Sequence, residues 1–300
     1  NKVLSRVGNL KSDGRPIIGI DAEDLLKIVL ESGHSTSLPT GQAGSGSNGA
    51  VLVPAHIFTP WFAMFGSMSG FDTIEECFGD YAKYIFAIET GLSSDPPMNW
   101  RLSALDRVAL ISNSDSHSLQ RIGREANIFD CALSYDGIIE AIRDGIPNAR
   151  HRSSNVYHRT RFIETIEFYP EEGRYHVDGH RLCGISWTPE ETEKHKGICT
   201  KCGQKITRGT LGRIQALADR PEGYVDSRRP GYRRLVPLDE IIGEAIDLGP
   251  KTKGVMTIYK KMIQLFQSEI NILTATTPAD IAAAISVEVA EGVRRVREGK

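Results

Sequence analysis

Three short apolar runs in the first half of the chain, VLVPAHI (51–57), YIFAIETG (84–91) and RVALISNSDSH (107–117), each close on side chains that can hold a metal ion. Those side chains are His56, Glu89, and Asp115 with His117. Apolar runs of this length read as buried strands. TIEECFGDYAKY (73–84) lies between two of them and SYDGIIEAIRDG (134–145) follows the last; both carry helical spacing, and Gly145 closes the second. Strand and helix in alternation predict an α/β architecture. Chemistry in such folds gathers at the carboxyl ends of the strands. Imidazole and carboxylate together suit divalent ions bound through nitrogen and oxygen. Asp115 and His117 are two apart, so in an extended tip Ser116 faces away and both side chains share one side. Taken singly, His56 would pass for a satisfied core histidine and Glu89 for a solvated carboxylate. Their shared placement after separate apolar runs favours a common site.

An amphipathic helix is expected over DAEDLLKIVLES (21–32), with Asp21 near its cap. The Gly/Ser-rich segment 33–50 reads as a surface loop. After about residue 152 the pattern changes: RFIETIEFYPEEGRYHVDGHRLC (161–183) reads as strand and turn. Past residue 235 helices are expected over 238–249, 255–273 and 278–299, the last with Thr277 as N-cap and Pro278 at its first position. This divides the chain into a phosphoesterase-type domain (1–152), a cysteine-rich module (153–215) and a basic linker with a helical region (216–300).

The chain has 5 cysteines, an odd number that argues against a disulfide framework. Cys77 and Cys131 sit in apolar-patterned surroundings and read as buried thiols. HRLC (180–183) and CTKC (199–202) instead form a His-x2-Cys and a Cys-x2-Cys pair. Two such pairs can close a tetrahedral zinc site from His180, Cys183, Cys199 and Cys202, which would be structural because the protein fills every position. His195 and His176 are alternatives for the histidine.

A basic and aromatic stretch follows. Arg208 and Arg213 lead into GYVDSRRPGYRRL (223–235), where Arg228, Arg229, Arg233 and Arg234 alternate with Tyr224 and Tyr232. Guanidinium groups suit phosphates, and exposed tyrosines stack on unpaired bases, so these eight residues are candidate DNA contacts. The formal net charge is only −2, so binding to nucleic acid has to come from such a local patch. Trp61, Phe62 and Phe65 follow His56 closely and read as packing. No run approaches the ~20 apolar residues of a membrane span, and the start has no secretory core, so the expected compartment is the cytoplasm.

Three motifs in order, VPAHIFTPWF (53–62), AIETGLSSDP (87–96) and SNSDSHS (112–118), resemble the later metal-ligand motifs of the polymerase-and-histidinol-phosphatase (PHP) superfamily. Their wording is closest to the endonuclease Q family of DNA-repair nucleases, and the resemblance runs through nearly the whole chain. It implies a distorted β/α barrel with a multinuclear centre of divalent ions such as zinc, manganese or magnesium. It also implies cleavage of DNA 5′ of deaminated bases (uracil, hypoxanthine, xanthine) or abasic sites. Carried over by position, His56, Glu89, Asp115 and His117 would be ligands, the last two catalytic. The superfamily's opening His-x-His motif has no match here, since the first histidine is His34. The chain therefore reads as beginning partway into the catalytic domain, with 33–50 as an insertion, and as stopping where family members continue. Two rival readings are a PHP-type small-molecule phosphatase and a zinc-stabilised DNA-binding fragment without activity.

Overall fold

The computed structural model describes residues 18–32, 49–147 and 160–300. Most of the Gly/Ser-rich segment with His34, and the boundary at 152, lie outside the described residues. The first half runs α1 (Ala22–Ser32), α2 (Ile74–Phe78), β1 (Ala87–Glu89), α3 (Pro96–Trp100), β2 (Ala109–Ile111), β3 (Ala126–Asp130) and α4 (Tyr135–Asp144). It continues through β4 (Arg161–Glu167), β5 (Asp178–His180), β6 (Ile185–Trp187), α5 (Pro189–Lys194), α6 (Thr210–Leu217) and β7 (Gly231–Arg234). Five helices close the chain: α7 (Leu238–Ala245), α8 (Lys253–Phe266), α9 (Glu269–Thr274), α10 (Pro278–Ala284) and α11 (Val287–Glu298).

The fold is mixed α/β. β1 and β2 pair in parallel with Glu89 opposite Ile111. β4 lies between β3, antiparallel to it, and β7, parallel to it. β5 and β6 form a separate antiparallel hairpin. No barrel closes among the described residues. The run at 51–57 is not a regular strand, and Pro54 accounts for part of this, because it has no N–H to place in a ladder. It still lies along β1: Glu89 N–H donates to the Pro54 carbonyl (3.0 Å) and Ile57 N–H to the Glu89 carbonyl (3.2 Å).

Helices end where the backbone forces them to. The helical pattern at 73–84 breaks after Phe78, at Gly79 (φ +52°), and continues as a tighter 3-10 turn. The expected helix at 255–273 becomes α8 and α9, divided at Gln267 (φ +72°) and restarted by the Ser268 side-chain cap. The one at 278–299 becomes α10 and α11, with Ser286 capping the second. The Thr277 cap and Pro278 at the helix start are as expected.

Three apolar clusters hold these elements. One joins Leu26, Phe58, Phe65, Ile88 and Trp100 to Ile214 of α6. A second packs α7–α11 against Ile166 of β4. The third, with Ala87, Ala109, Ile142 and Phe162, fills the space between β1, β2, α4 and β4. β4 and α6, from the cysteine-rich stretch, are thus built into the cores of its neighbours. Cys77 is buried as expected, whereas Cys131 is only half-buried.

Candidate metal sites

At the end of β1, the Glu89 carboxylate is 6% exposed and its Oε2 accepts the His56 backbone N–H at 2.7 Å. His56 is left-handed (φ +34°), which turns its side chain over Gly91. Thr59 Oγ1 donates to the His56 carbonyl (3.1 Å) and lies 3.0 Å from His56 Nδ1. The Thr59 hydroxyl thus holds the Nδ1 edge of the His56 ring in place.

The tip after β2 is built by a different set of bonds. The Asn127 side chain clamps Ser112 on both sides, accepting from its N–H (2.9 Å) and donating to its carbonyl (2.8 Å). Arg124 Nε donates to the Ser114 carbonyl (2.9 Å). Asp115 is left-handed (φ +41°), and its carbonyl accepts from His117 Nδ1–H at 2.8 Å. Both Asp115 and His117 are exposed. His56 is thus joined to Glu89, and Asp115 to His117, at the same end of the parallel pair. The two couples do not form one compact ligand shell: among the described residues, one group of three or more potential ligands has its atoms all within 4.8 Å, and it lies elsewhere.

Beneath the strand ends lies a buried acidic layer that sequence reasoning missed. Glu167, at the end of β4, is 0% exposed, and its Oε2 accepts the hydroxyls of Thr90 (3.0 Å) and Ser112 (3.1 Å). Burial pushes its carboxyl up to about 8. Glu125 is pushed up to about 9 by burial and by the nearby charges of Glu167 and Glu89. Alternation along RFIETIE gives no sign that Glu167 faces inward. Gly91 could have been found, since a glycine directly after a ligand-bearing strand end signals close approach.

The compact group is His180, Cys183, Cys199 and Cys202. His180 ends β5, Cys183 lies on the turn into β6, and Cys199 and Cys202 form the knuckle after α5. Cys202 Sγ lies 3.4 Å from His180 Nδ1. A tetrahedral zinc with Zn–S of about 2.3 Å needs sulfurs about 3.8 Å apart, so the donors fit. Burial opposes the Cys199 thiolate, yet the backbone N–H groups of Lys201 and Cys202 and the side chains of Cys202 and His180 bring it down to about 6. Cys183 is pushed up to about 11, first by its hydrogen bond with Cys202 and then by burial. This cluster can bind a metal ion. Of the three candidate histidines the fold brings His180 to the thiols; His195 stacks on Trp187 instead, with centroids 4.6 Å apart.

Most arginines of the basic stretch have internal partners. Arg213 is held by Asp72 (2.6 Å) and the carbonyls of Phe65 and Phe71. Arg228 grips Asp226 (2.7 Å) and Asp106 (3.0 Å). Arg229 is 8% exposed and donates to the carbonyls of Leu105 and Val108. Arg233 makes a two-pronged pair with Glu164, and Arg234 pairs with the buried Asp95, which caps α3. Tyr232 packs edge-on against Trp100, and Tyr224 lies under the Arg220 guanidinium. Internal carboxylates and carbonyls therefore engage five of the six guanidinium groups expected to meet phosphates. Arg208 is exposed.

The final 64 residues, 237–300, match the family model described as the MJ0043 C-terminal domain. The chain is 32% identical over 247 residues to the uncharacterized protein MJ0043 of Methanocaldococcus jannaschii, covering 81% of this chain and 29% of that protein. It is 28% identical over 254 residues to YqxK of Bacillus subtilis, covering 84% and 57% respectively. It thus spans under a third of one relative and just over half of the other. The crystal structure of the lesion-specific endonuclease PfuEndoQ from Pyrococcus furiosus matches 100% of this chain and 67% of its own, with a TM-score of 0.79 and 26% identity. An endonuclease Q complex with a 27-mer duplex, carrying an abasic lesion at the active site, matches with a TM-score of 0.80 and 26% identity. No helix among the described residues is long and apolar enough to cross a membrane.

Proposed function

The chain belongs to the endonuclease Q family, and on that premise we propose that it acts in a metal-dependent DNA-repair endonuclease. Its substrate would be the phosphodiester 5′ of a deaminated base or an abasic site. The likeness of the entire chain to a lesion-specific endonuclease carries this reading. The strand ends support it chemically. His56 and His117 offer imidazole nitrogen and Glu89 and Asp115 carboxylate oxygen, a donor set suited to divalent ions. Divalent zinc, manganese or magnesium bound there would supply a water of lowered pKa and neutralise charge on the phosphoryl oxygen. The residues themselves orient: Asn127 and Arg124 hold the Asp115–His117 tip, and Gly91 lets His56 approach. His180, Cys183, Cys199 and Cys202 would hold a structural zinc that ties the β5–β6 hairpin to the knuckle.

The test is incubation of the chain with duplexes carrying uracil, hypoxanthine or an abasic site, with each divalent ion in turn. Cleavage 5′ of the lesion, abolished in Asp115→Asn and His117→Ala with folding intact, is the expected result. Cleavage that survives both substitutions would remove the proposed centre. A second reading, a zinc-stabilised DNA-binding segment without activity, is favoured by the compactness of the Cys/His group beside the open arrangement at the strand ends. It predicts salt-sensitive DNA binding and no cleavage with any of the ions.

A further inference from the structure

The loop after His56 divides its aromatic residues in a way that packing alone does not explain. Phe58 and Phe65 are buried, with ring centroids 5.4 Å apart. Phe62, between them, is 90% exposed and holds a left-handed backbone at φ +57°. A bulky residue in that conformation is strained, and an exposed phenyl ring gains nothing from burial, so both features cost stability. The strain is nevertheless locked in. The Phe62 N–H donates to Ser69 Oγ (2.9 Å), and the Met68 N–H donates to the Pro60 carbonyl (2.9 Å). From the far side the loop is tied to α6 and to Arg208, just ahead of that helix. Arg213 donates to the Phe65 and Phe71 carbonyls, Thr210 Oγ1 to the Phe58 carbonyl (3.2 Å), and Ser67 Oγ to the Arg208 carbonyl (2.6 Å). Trp61, half-exposed, is braced edge-on by Tyr175 at 5.7 Å.

The geometry points to Phe62 as a wedge that enters the base stack of duplex DNA beside the lesion, filling the gap as the damaged nucleotide is displaced. This deepens the endonuclease reading and rests on it. Three observations select DNA as the occupant. The ring is six residues from His56, the candidate ligand next to the scissile phosphate in that reading. The loop is bonded to exposed Arg208, whose guanidinium suits a phosphate. A rigid, protruding aromatic can replace lost stacking, whereas a flexible one would pay for its ordering on contact.

The experiment uses a duplex with 2-aminopurine next to an abasic site, titrated with the chain without added divalent ion. Wild type is expected to raise the fluorescence as the neighbouring base unstacks. Phe62→Ala should abolish the rise at saturating protein and weaken binding to the lesion duplex about 5- to 100-fold. Its affinity for an intact duplex and its melting temperature should not fall. Phe62→Trp should restore the signal; a purely structural role would instead lower the melting temperature. A full fluorescence rise with Phe62→Ala, in a chain that binds the lesion duplex, overturns the wedge and leaves the endonuclease reading standing. Absence of binding by wild type overturns both.

Discussion

Gly91 and His56 approach so closely that a Cβ on Gly91 would stand 2.5 Å from the His56 Cβ and 2.8 Å from its Cα. Gly91 is itself left-handed (φ +67°), so any side chain there is strained as well as obstructed. Gly91→Ala is therefore expected to cost about 1–3 kcal/mol of stability and to displace His56 from Glu89. Denaturant titration with metal-ion titration checks this. Unchanged affinity for added manganese in Gly91→Ala would show that His56 does not need the close approach.

A second expectation concerns pH. Glu167 keeps its proton up to about 8 in the folded chain, against an ordinary 4.5. Between those values the unfolded chain has released a proton that the native state retains, so stability falls as pH rises through the window. Below about 4.5 the effect vanishes. Glu167→Gln retains an oxygen to accept from Thr90 and Ser112 and has no proton to lose. Its stability relative to wild type should therefore rise between pH 5 and pH 8, by up to about 1.4 kcal/mol per unit. A constant difference across that range would show that Glu167 is ionised in the fold.

Removal of metal from the Cys/His group gives a third. Elemental analysis should find tightly held zinc, and either a strong chelator or Cys199→Ser should remove it. Amide protection over β5, β6 and α5 should then collapse, because this segment has few apolar contacts of its own. Protection in α7–α11, which have a separate apolar core, should persist. A chelator that leaves the hairpin protected would make the cluster incidental.

The fourth separates structural from DNA-facing arginines. Arg234→Ala strands the buried Asp95 carboxylate, which burial already raises above its ordinary range, and should destabilise by about 3–5 kcal/mol. Arg208→Ala should change stability by less than about 0.5 kcal/mol. It should instead weaken DNA binding and reduce the salt slope by about one. The reverse pattern would restore the basic stretch as the DNA-contacting surface.

The Cys/His group was legible in the sequence, and so was the order of the elements that carry the other candidate ligands. Glu89 ends β1 and the Asp115–His117 tip follows β2 as the apolar runs suggested, whereas the run before His56 forms no regular strand; paired spacing placed three thiols with His180. Both are local signals, fixed by the two-residue repeat of a strand and the reach of a knuckle. The internal partners of the arginines were not legible, because a guanidinium facing a phosphate and one facing a buried carboxylate are identical in sequence. Only Asp95, Asp106 and Glu164, distant along the chain, decide between them.

The sequence by itself determined which segments are apolar, which are helical in pattern and which donors lie beside them, because these depend on neighbouring residues and backbone propensity. The tertiary structure alone decided that Glu167 is buried beneath Thr90 and Ser112, that Phe62 points outward while Phe65 packs, and that five arginines are internally paired. Each of those outcomes is set by which distant segment arrives alongside, and with it by the local dielectric and the partner supplied. Neither is encoded in any short window of the chain.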